Sequence, residues 1–383
     1  MSSRDFLRRL PRTGTGLARR QALEQRLHVD FILLFLLLLI SAFGLLVLYS
    51  ASSESREAVM RQGAYFALAF VVMFTVAQVP VDLMRRLAPW AYTGGVILLV
   101  LVLAIGVGAK GAQRWLDLGF IRFQPSEIMK LAMPVMIAAY LGRRFMPPRF
   151  KHVFFSLILI AVPVGLIVKQ PDLGTSILVG ASGFMVLFFA GLRWRYLIIA
   201  GITAAASLWP IWHFGLHDYQ RRRILTMLNP EADRLGAGWN IIQSKTAIGS
   251  GGQYGKGWLE GTQSRLDFLP EGHTDFIIAV MAEEFGFVGV LILLGVYLLL
   301  LLRCMYIALR AQDSFGRLLA ASITLTFFVY IFVNMGMVSG LLPVVGVPLP
   351  LISQGGTAIV TLLAGFGILM AIATEPRRVM TPQ

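Results

Sequence analysis

Long apolar runs separated by short polar connections dominate the chain. The runs lie near residues 31–50, 63–80, 88–107, 127–142, 153–168, 173–191, 196–213, 276–302, 318–338 and 351–373. Each approaches or reaches the ~17–25 residues that a helix needs to cross a bilayer. A lone span satisfies its backbone in lipid only as a helix, so the pattern predicts an all-α polytopic membrane protein of about ten transmembrane helices. One interval breaks the rhythm: residues 214–275 are polar and rich in glycine, between the seventh and eighth predicted helices. Structureless connections beyond ~12–15 residues are uncommon and usually functional, so chemistry is expected there.

Composition agrees with a bilayer protein. Of the 383 residues, 57% are hydrophobic and 14% charged, too few charges to cover a soluble surface of this size. The formal net charge of +14 raises the question of nucleic acid. The basic residues sit in short clusters between apolar runs instead of along one solvated face, which excludes that partner and fits membrane topology. With the N-terminus inside, the inner connections hold Arg85-Arg86, Arg143, Arg144, Arg149, Lys151, Arg193, Arg195, Arg303, Arg310 and Arg317, and the tail holds Arg377-Arg378. The short outer loops hold fewer: Arg56, Arg61, Lys110, Arg114, Arg122 and Lys169. Both termini are therefore expected in the cytoplasm and 214–275 outside. Residues 1–28 read as a basic cytoplasmic tail and 29–383 as one membrane domain. The first apolar run exceeds the ~7–15 residues of a signal-peptide core, so it reads as an uncleaved helix. Cys304 is the only cysteine, which removes disulfide frameworks and cysteine-based zinc sites.

Ionisable residues concentrate at the outer mouth of the eighth predicted helix, in Leu269-Pro270-Glu271-Gly272-His273-Thr274-Asp275-Phe276. Two readings of Asp275 stay open. It is either part of an N-terminal cap cluster or a general base whose proton affinity burial raises while the helix terminus and nearby cations lower it. Glu283 and Glu284 follow in the same apolar run, and intramembrane carboxylates normally face a protein interior or an aqueous cavity. At ~100° per residue only Glu283 would share a cavity with Asp275, and Glu284 would bond a neighbouring helix. Glu127 and Lys130 are three apart at the start of the fourth predicted helix. They form either a self-neutralising pair or a place where Lys130 meets an anionic head group. The run Gly249-Ser250-Gly251-Gly252-Gln253-Tyr254-Gly255-Lys256-Gly257 fails the P-loop spacing at Ser250 and Gly257, and its glycines read as tight turns. Lys245, Lys256 and Arg265 remain cations able to meet phosphate, and Arg221-Arg222-Arg223 a lipid-facing or anchoring cluster.

Several stretches together resemble one family. They are Arg114-Trp115, Gln124-Pro125-Ser126-Glu127 with Lys130, and Gln170-Pro171-Asp172-Leu173-Gly174-Thr175. Gly236-Ala237-Gly238-Trp239, Gln243-Ser244-Lys245, Gly249-Ser250-Gly251-Gly252 and Gly261-Thr262-Gln263 follow, then Leu269-Pro270-Glu271 and His273-Thr274-Asp275-Phe276. Pro348-Leu349-Pro350 and Gly355-Gly356-Thr357 complete the set. The combination resembles the SEDS proteins (shape, elongation, division, sporulation) from the first span to the last. Gly340 through Pro348 is more similar to the RodA type than to the division type, FtsW. Gly272 and Gln354 depart from the usual pattern, which bears on fine substrate contacts.

The resemblance implies a peptidoglycan glycosyltransferase of the bacterial inner membrane that polymerises lipid II beside a class B penicillin-binding protein. Asp275 matches the family's essential aspartate. Glu127, Lys130, Arg114, Trp115, Lys245, Gln243, Ser244, Glu271, His273, Thr274 and Glu283 are the expected substrate contacts. No cofactor is required by these residues; basic groups or a divalent cation are both compatible with a departing pyrophosphate. A flippase for the same lipid-linked precursor and a non-catalytic scaffold are the competing functions. A flippase predicts ionisable groups along a path through the membrane, whereas the polar motifs here gather at one side.

Overall fold

A computed structural model describes residues 27–109, 112–117, 122–215, 218–233, 237–265, 269 and 271–375. Expectations resting on residues 1–26, Lys110, Asp267 and Pro270 lie outside the described residues. The first apolar runs form α1 (Phe31–Ala51), α2 (Arg56–Ala77) and α3 (Val81–Ile105). Then come α4 (Pro125–Leu141), α5 (Phe150–Lys169), α6 (Leu173–Phe189) and α7 (Trp194–Pro210), the last running into a π-turn at Ile211–Gly215. The later runs form α11 (Ile277–Arg310), α12 (Ser314–Val338) and α13 (Thr357–Thr374). Side-chain caps begin several of them: Asp30, Ser55, Asp172 and Asp313 each accept a backbone N–H three residues on, satisfying one of the donors a helix start leaves open.

Among the described residues, seven helices are long and apolar enough to cross a membrane, namely α1, α2, α3, α5, α11, α12 and α13, and α6 is a shorter apolar helix. The protein is a multi-pass membrane protein. Outward-facing Phe35, Leu68, Ile97, Phe154 and Ile292 are exposed, as lipid-facing side chains are. The core lies between helices, where Leu37, Met73, Leu99, Met129, Met133, Tyr297 and Phe366 are buried. Helix α4 is buried along most of its length and packs against α3, α5, α6, α12 and α13. Its Glu127 and Lys130 are therefore enclosed by protein.

Two features of the connections were not foreseen. A small antiparallel sheet follows α3, with β1 (Val107–Ala109) paired to β2 (Ala112–Asp117) and β2 to β3 (Arg122–Phe123). Residues 214–275 hold α8 (Asp218–Leu228), a 3-10 turn at Pro230–Asp233, α9 (Ala237–Gly251) and α10 (Thr262–Arg265). Much of that interval is ordered helix, and α9 packs along α11.

The glycine run after α9 has a structural task. Helix α11 is 34 residues long, or about 51 Å at ~1.5 Å per residue, well beyond the ~30 Å hydrocarbon core. It breaks at Gly286, where φ is 68° and ψ −168°. The backbone groups freed by the break are taken up by residues 252–257. Lys256 N and Gly257 N donate to the carbonyls of Glu283 and Glu284, and Phe287 N and Val288 N donate to those of Gly252 and Gln253, all at 3.0 Å. A Cβ on Gly286 would lie 2.3 Å from Gly255 N, and one on Gly255 2.1 Å from Glu284 O. Neither position has room for a side chain. The amides that might have cradled phosphate are already spent here.

Gly286→Ala should accordingly destabilise the fold, combining a clash with a backbone conformation that costs a non-glycine residue about 1–3 kcal/mol. Gly63→Ala, in the middle of α2 with nothing within 4 Å of the new Cβ, should be silent. Thermal unfolding of the detergent-purified proteins checks this; equal midpoints would show the close packing to be dispensable.

Candidate active site

The start of α4 carries the first half of the site. Gln124 is the N-cap residue and Pro125 opens the helix, a position where a missing N–H costs nothing. One turn on, Lys130 Nζ lies 2.6 Å from Glu127 Oε1, and Thr361 of α13 donates to Glu127 Oε2 at 3.0 Å. The Lys130 ammonium also sits 5.3 Å from the centre of the Tyr330 ring on α12. A desolvated contact of that kind contributes up to about 2 kcal/mol. Lys130, Thr361 and Tyr330 border a cavity with about 750 Å³ of empty space, including its open mouth. Its other walls are mainly apolar: Pro348–Leu351, Phe327, Ile323, Leu362 and Phe366. From Tyr330 to Ile323 it follows about two turns of α12, roughly 10 Å.

Asp275 belongs to a tight turn that precedes α11. Thr274 N and Phe276 N donate to the Glu271 carbonyl at 3.2 and 3.1 Å, and Thr274 Oγ1 donates to Glu271 Oε2 at 2.8 Å. Phe276 is the N-cap residue and no side chain caps the helix. Asp275 is the residue before it, so it lies in the turn and not at the N-cap position. Its main chain is held by Asn334, whose Nδ2 donates to the carbonyls of Asp275 (2.9 Å) and Val347 (2.8 Å). The carboxylate faces Gly346, where an added Cβ would lie 3.5 Å from Oδ2. His273 is tied in through its carbonyl, which accepts from Gln354 N at 3.0 Å. Glu271, His273, Thr274 and Asp275 are all half-buried.

The two halves meet on one irregular stretch, residues 339–356. Gly346 and Val347 border Asp275, and the cavity wall begins at Pro348. Asn334 and Tyr330 are one turn apart on α12, about 6 Å, so one helix holds the Asp275 turn and underlies Lys130.

The remaining expected contacts ring this stretch. Arg114 on β2 donates to the Pro171 carbonyl and stands 3.9 Å from Asp172, which accepts from Gln124 Nε2 at 2.9 Å. Three sequence motifs thus converge, with half-buried Trp115 beside Arg114. Gly174 links them onward, since a Cβ there would lie 2.7 Å from the Val345 carbonyl. On α9, buried Ser244 donates to the Val338 carbonyl at 2.9 Å, half-buried Gln243 precedes it, and exposed Lys245 lies over Gly340. Glu283 is not brought to Asp275. The helical projection fails because Asp275 lies in the turn before α11. Glu283 is instead enclosed by Lys256 Nζ (2.6 Å), the Thr262 amide and hydroxyl (2.9 and 3.0 Å) and the Gln263 amide (3.1 Å). Glu284 bonds Ser50 of α1, the neighbouring-helix contact expected of it.

Sequence reasoning missed Asn334, Tyr330, Thr361 and Gln62. Gln62 is 1% exposed and bonds both Ser353 and Gly355. Asn334 carried a legible signal, an amide inside an apolar run, which is costly in lipid unless it has partners. Among the described residues no three His, Cys, Asp or Glu side chains converge as a metal site would require.

The family model described as "Cell cycle protein", spanning FtsW, RodA and SpoVE, matches residues 30–378. The chain belongs to this SEDS family. It is 53% identical over 350 residues to the peptidoglycan glycosyltransferase MrdB of Escherichia coli K12, covering 91% of this chain and 95% of that protein. It is 38% identical over 357 residues to the probable peptidoglycan glycosyltransferase FtsW of Trichlorobacter lovleyi, covering 90% and 93%. The higher identity to MrdB accords with a RodA-type SEDS protein. Two solved structures share the fold. A chain from work described as "Structural coordination of polymerization and crosslinking by a peptidoglycan synthase complex" has a TM-score of 0.79 at 34% identity, covering 90% of this chain and 97% of that one. The rod shape determining protein RodA of Thermus thermophilus has a TM-score of 0.68 at 31% identity, covering 90% and 96%.

The Glu127–Lys130 pair allows a test that separates packing from substrate contact. Losing one partner of a buried pair strands the other charge and costs about 3–5 kcal/mol. Lys130→Met should therefore lower both thermal stability and glycan polymerisation. Adding Glu127→Gln should restore stability and leave polymerisation low, because no cation then faces the cavity. Full recovery of activity in the double variant would reduce Lys130 to a neutralising role.

Proposed function

We propose that this chain polymerises lipid II into glycan strands during cell elongation, with Asp275 as the general base and Lys130 facing the pyrophosphate. The observation that carries this is the junction at residues 346–348. There the residues that border the Asp275 carboxylate run directly into the wall of a cavity that is cationic at one place and apolar elsewhere. A lipid-linked sugar has that division: a charged pyrophosphate between a polar sugar and a hydrocarbon tail.

In the reaction, the 4-hydroxyl of the acceptor sugar attacks the anomeric carbon of the donor chain from the face opposite its pyrophosphate. Asp275 takes the hydroxyl proton as the new glycosidic bond forms. The bond from the anomeric carbon to the pyrophosphate oxygen breaks, with inversion, and the electron pair leaves on polyprenyl pyrophosphate. Lys130 offsets the charge that develops on that oxygen, in a cavity where a cation acts more strongly than in water. A divalent ion carried by the pyrophosphate would share the same task. Arg114, Trp115, Gln243, Ser244, Lys245, Glu271, His273 and Thr274 serve in this reading as substrate contacts or as the frame that holds them, and Glu283 as an anchor for 256–263. The leaving group stays in the bilayer, so the site belongs at its surface. A class B penicillin-binding protein is the partner that crosslinks the strands. The protein lies in the inner membrane with both termini cytoplasmic and the site in the periplasm.

Asp275→Asn keeps the size of the side chain but cannot accept a proton at neutral pH. It should abolish polymerisation of lipid II by the purified protein with its partner, since general-base catalysis contributes ~10²–10⁴-fold. Expression and association with the partner should be unchanged. Asp267→Asn, outside the His-Thr-Asp run, is the control. A loss of only a few-fold, or equal losses in both variants, would remove Asp275 from the chemistry.

Orientation is checked separately. In a Cys304→Ser background, a cysteine introduced by Gln253→Cys, at an exposed position, should react in spheroplasts with a thiol reagent that cannot cross the membrane. Labelling only after permeabilisation would invert the topology.

A further inference from the structure

A second cavity, with about 1050 Å³ of empty space, opens at the arginine-rich end of the bundle between α3 and α4. It is separate from the Lys130 site: Tyr140 in its wall is ten residues further along α4, about 15 Å. Four arginines line it and no carboxylate does. Arg85 is bonded to Asp82 and to Asp313 (3.3 Å), yet its buried Nε has no acceptor. Arg144 is fixed in place, with its guanidinium carbon 3.6 Å from the centre of the Tyr140 ring and an N–H donated to the Tyr140 carbonyl. The Tyr140 hydroxyl is in turn 3.2 Å from His152 Nδ1. Arg86 and Arg143 are exposed and form no ion pair among the described residues. Among the described residues, Arg86, Arg143 and Arg144 thus face one space without an ion-pair partner.

The cavity has an apolar side as well, made by Pro89, Met136 and Ala139. Its rim carries aromatic side chains in the open. Trp90, one turn beyond Arg86, is 77% exposed, and Phe145, next to Arg144, is 98% exposed. Exposed aromatics beside arginines are what a membrane protein places at head-group depth. Guanidinium groups bind phosphate through paired N–H donors, and basic pockets between membrane helices take lipid head groups.

We propose that this cavity holds the phosphodiester of an anionic phospholipid, with the acyl chains lying along the exposed face of α3. The test is native mass spectrometry of the full-length protein released from mixed micelles of phosphatidylglycerol and phosphatidylcholine. The wild-type protein should retain phosphatidylglycerol preferentially. Arg86→Gln with Arg143→Gln should cut that preference by about thirtyfold, the scale expected for two basic groups near anionic lipid. Arg86→Lys with Arg143→Lys should keep most of it, which controls for folding together with an unchanged thermal midpoint. Equal retention of both lipids, or an unchanged preference in the glutamine variant, would overturn the proposal. So would displacement by excess inorganic phosphate, which would mark a free-anion site, or stronger retention of a polyprenyl pyrophosphate, which would mark a precursor site.

Discussion

Backbone that is neither helix nor sheet is expensive inside a membrane protein, because no water is present to satisfy its N–H and C=O groups. Residues 347–353, within the irregular stretch 339–356, are largely buried between helices, and side chains from several of them meet the cost. Tyr297 of α11 donates to the Pro350 carbonyl at 2.6 Å, Asn334 of α12 to Val347, and Gln62 of α2 to Ser353 at 3.2 Å. The Leu349 amide is taken by Ser353 Oγ at 2.8 Å, and that of Gln354 by His273. Two of these bonds also position the Asp275 turn. Asn334 holds Asp275 by the same amide group, and the Gln354 bond draws the Asp275 turn against the cavity wall. The geometry of the site is a consequence of solving this backbone problem.

The helical frame was legible because it rests on a signal the bilayer amplifies. Each of the ten apolar runs corresponds to a helix, with ends displaced by up to eight residues, in part because caps such as Ser55 and Asp313 set the true start. Asp275 and Lys130 were legible from their residue types and Ser244 through the resemblance, and all three lie along the stretch that joins α12 to α13. What could not be read was how they are joined. The small sheet after α3 is short and irregular, too brief for its alternation to register. The helical projection from Asp275 to Glu283 assumed one continuous helix across a position that is in fact a turn. The glycine run gave up its purpose only once the break at Gly286 was known, since turn-forming glycines and docking glycines look alike in sequence.

The acidic groups of α11 show how context divides similar residues. Glu283 has its oxygens occupied by Lys256, Thr262 and Gln263, and Glu284 accepts from Ser50, so both secure elements against α11. The main chain of Asp275, a few residues earlier, is held by Asn334, and its carboxylate faces Gly346. The difference lies in what each carboxylate meets: Glu283 the 256–263 segment, Glu284 a neighbouring helix, and Asp275 the edge of the 346–348 stretch.

The Glu127–Lys130 pair raises the matching question for a cation. A buried ion pair is weak as a stabilising device, since desolvation offsets its attraction and apolar residues of equal volume often do as well or better. Stability alone therefore gives no reason to bury a lysine at the edge of a largely apolar cavity. Yet Lys130 is held there from two sides, by Glu127 and by the face of Tyr330, and Glu127 is itself oriented by Thr361. That much positioning of one ammonium group makes sense if an anion approaches it from the open side. The partner carboxylate then serves two ends. It would hold the lysine in place and leave the remaining ammonium donors for the pyrophosphate of the proposed reaction, whose charge grows as its bond to sugar breaks.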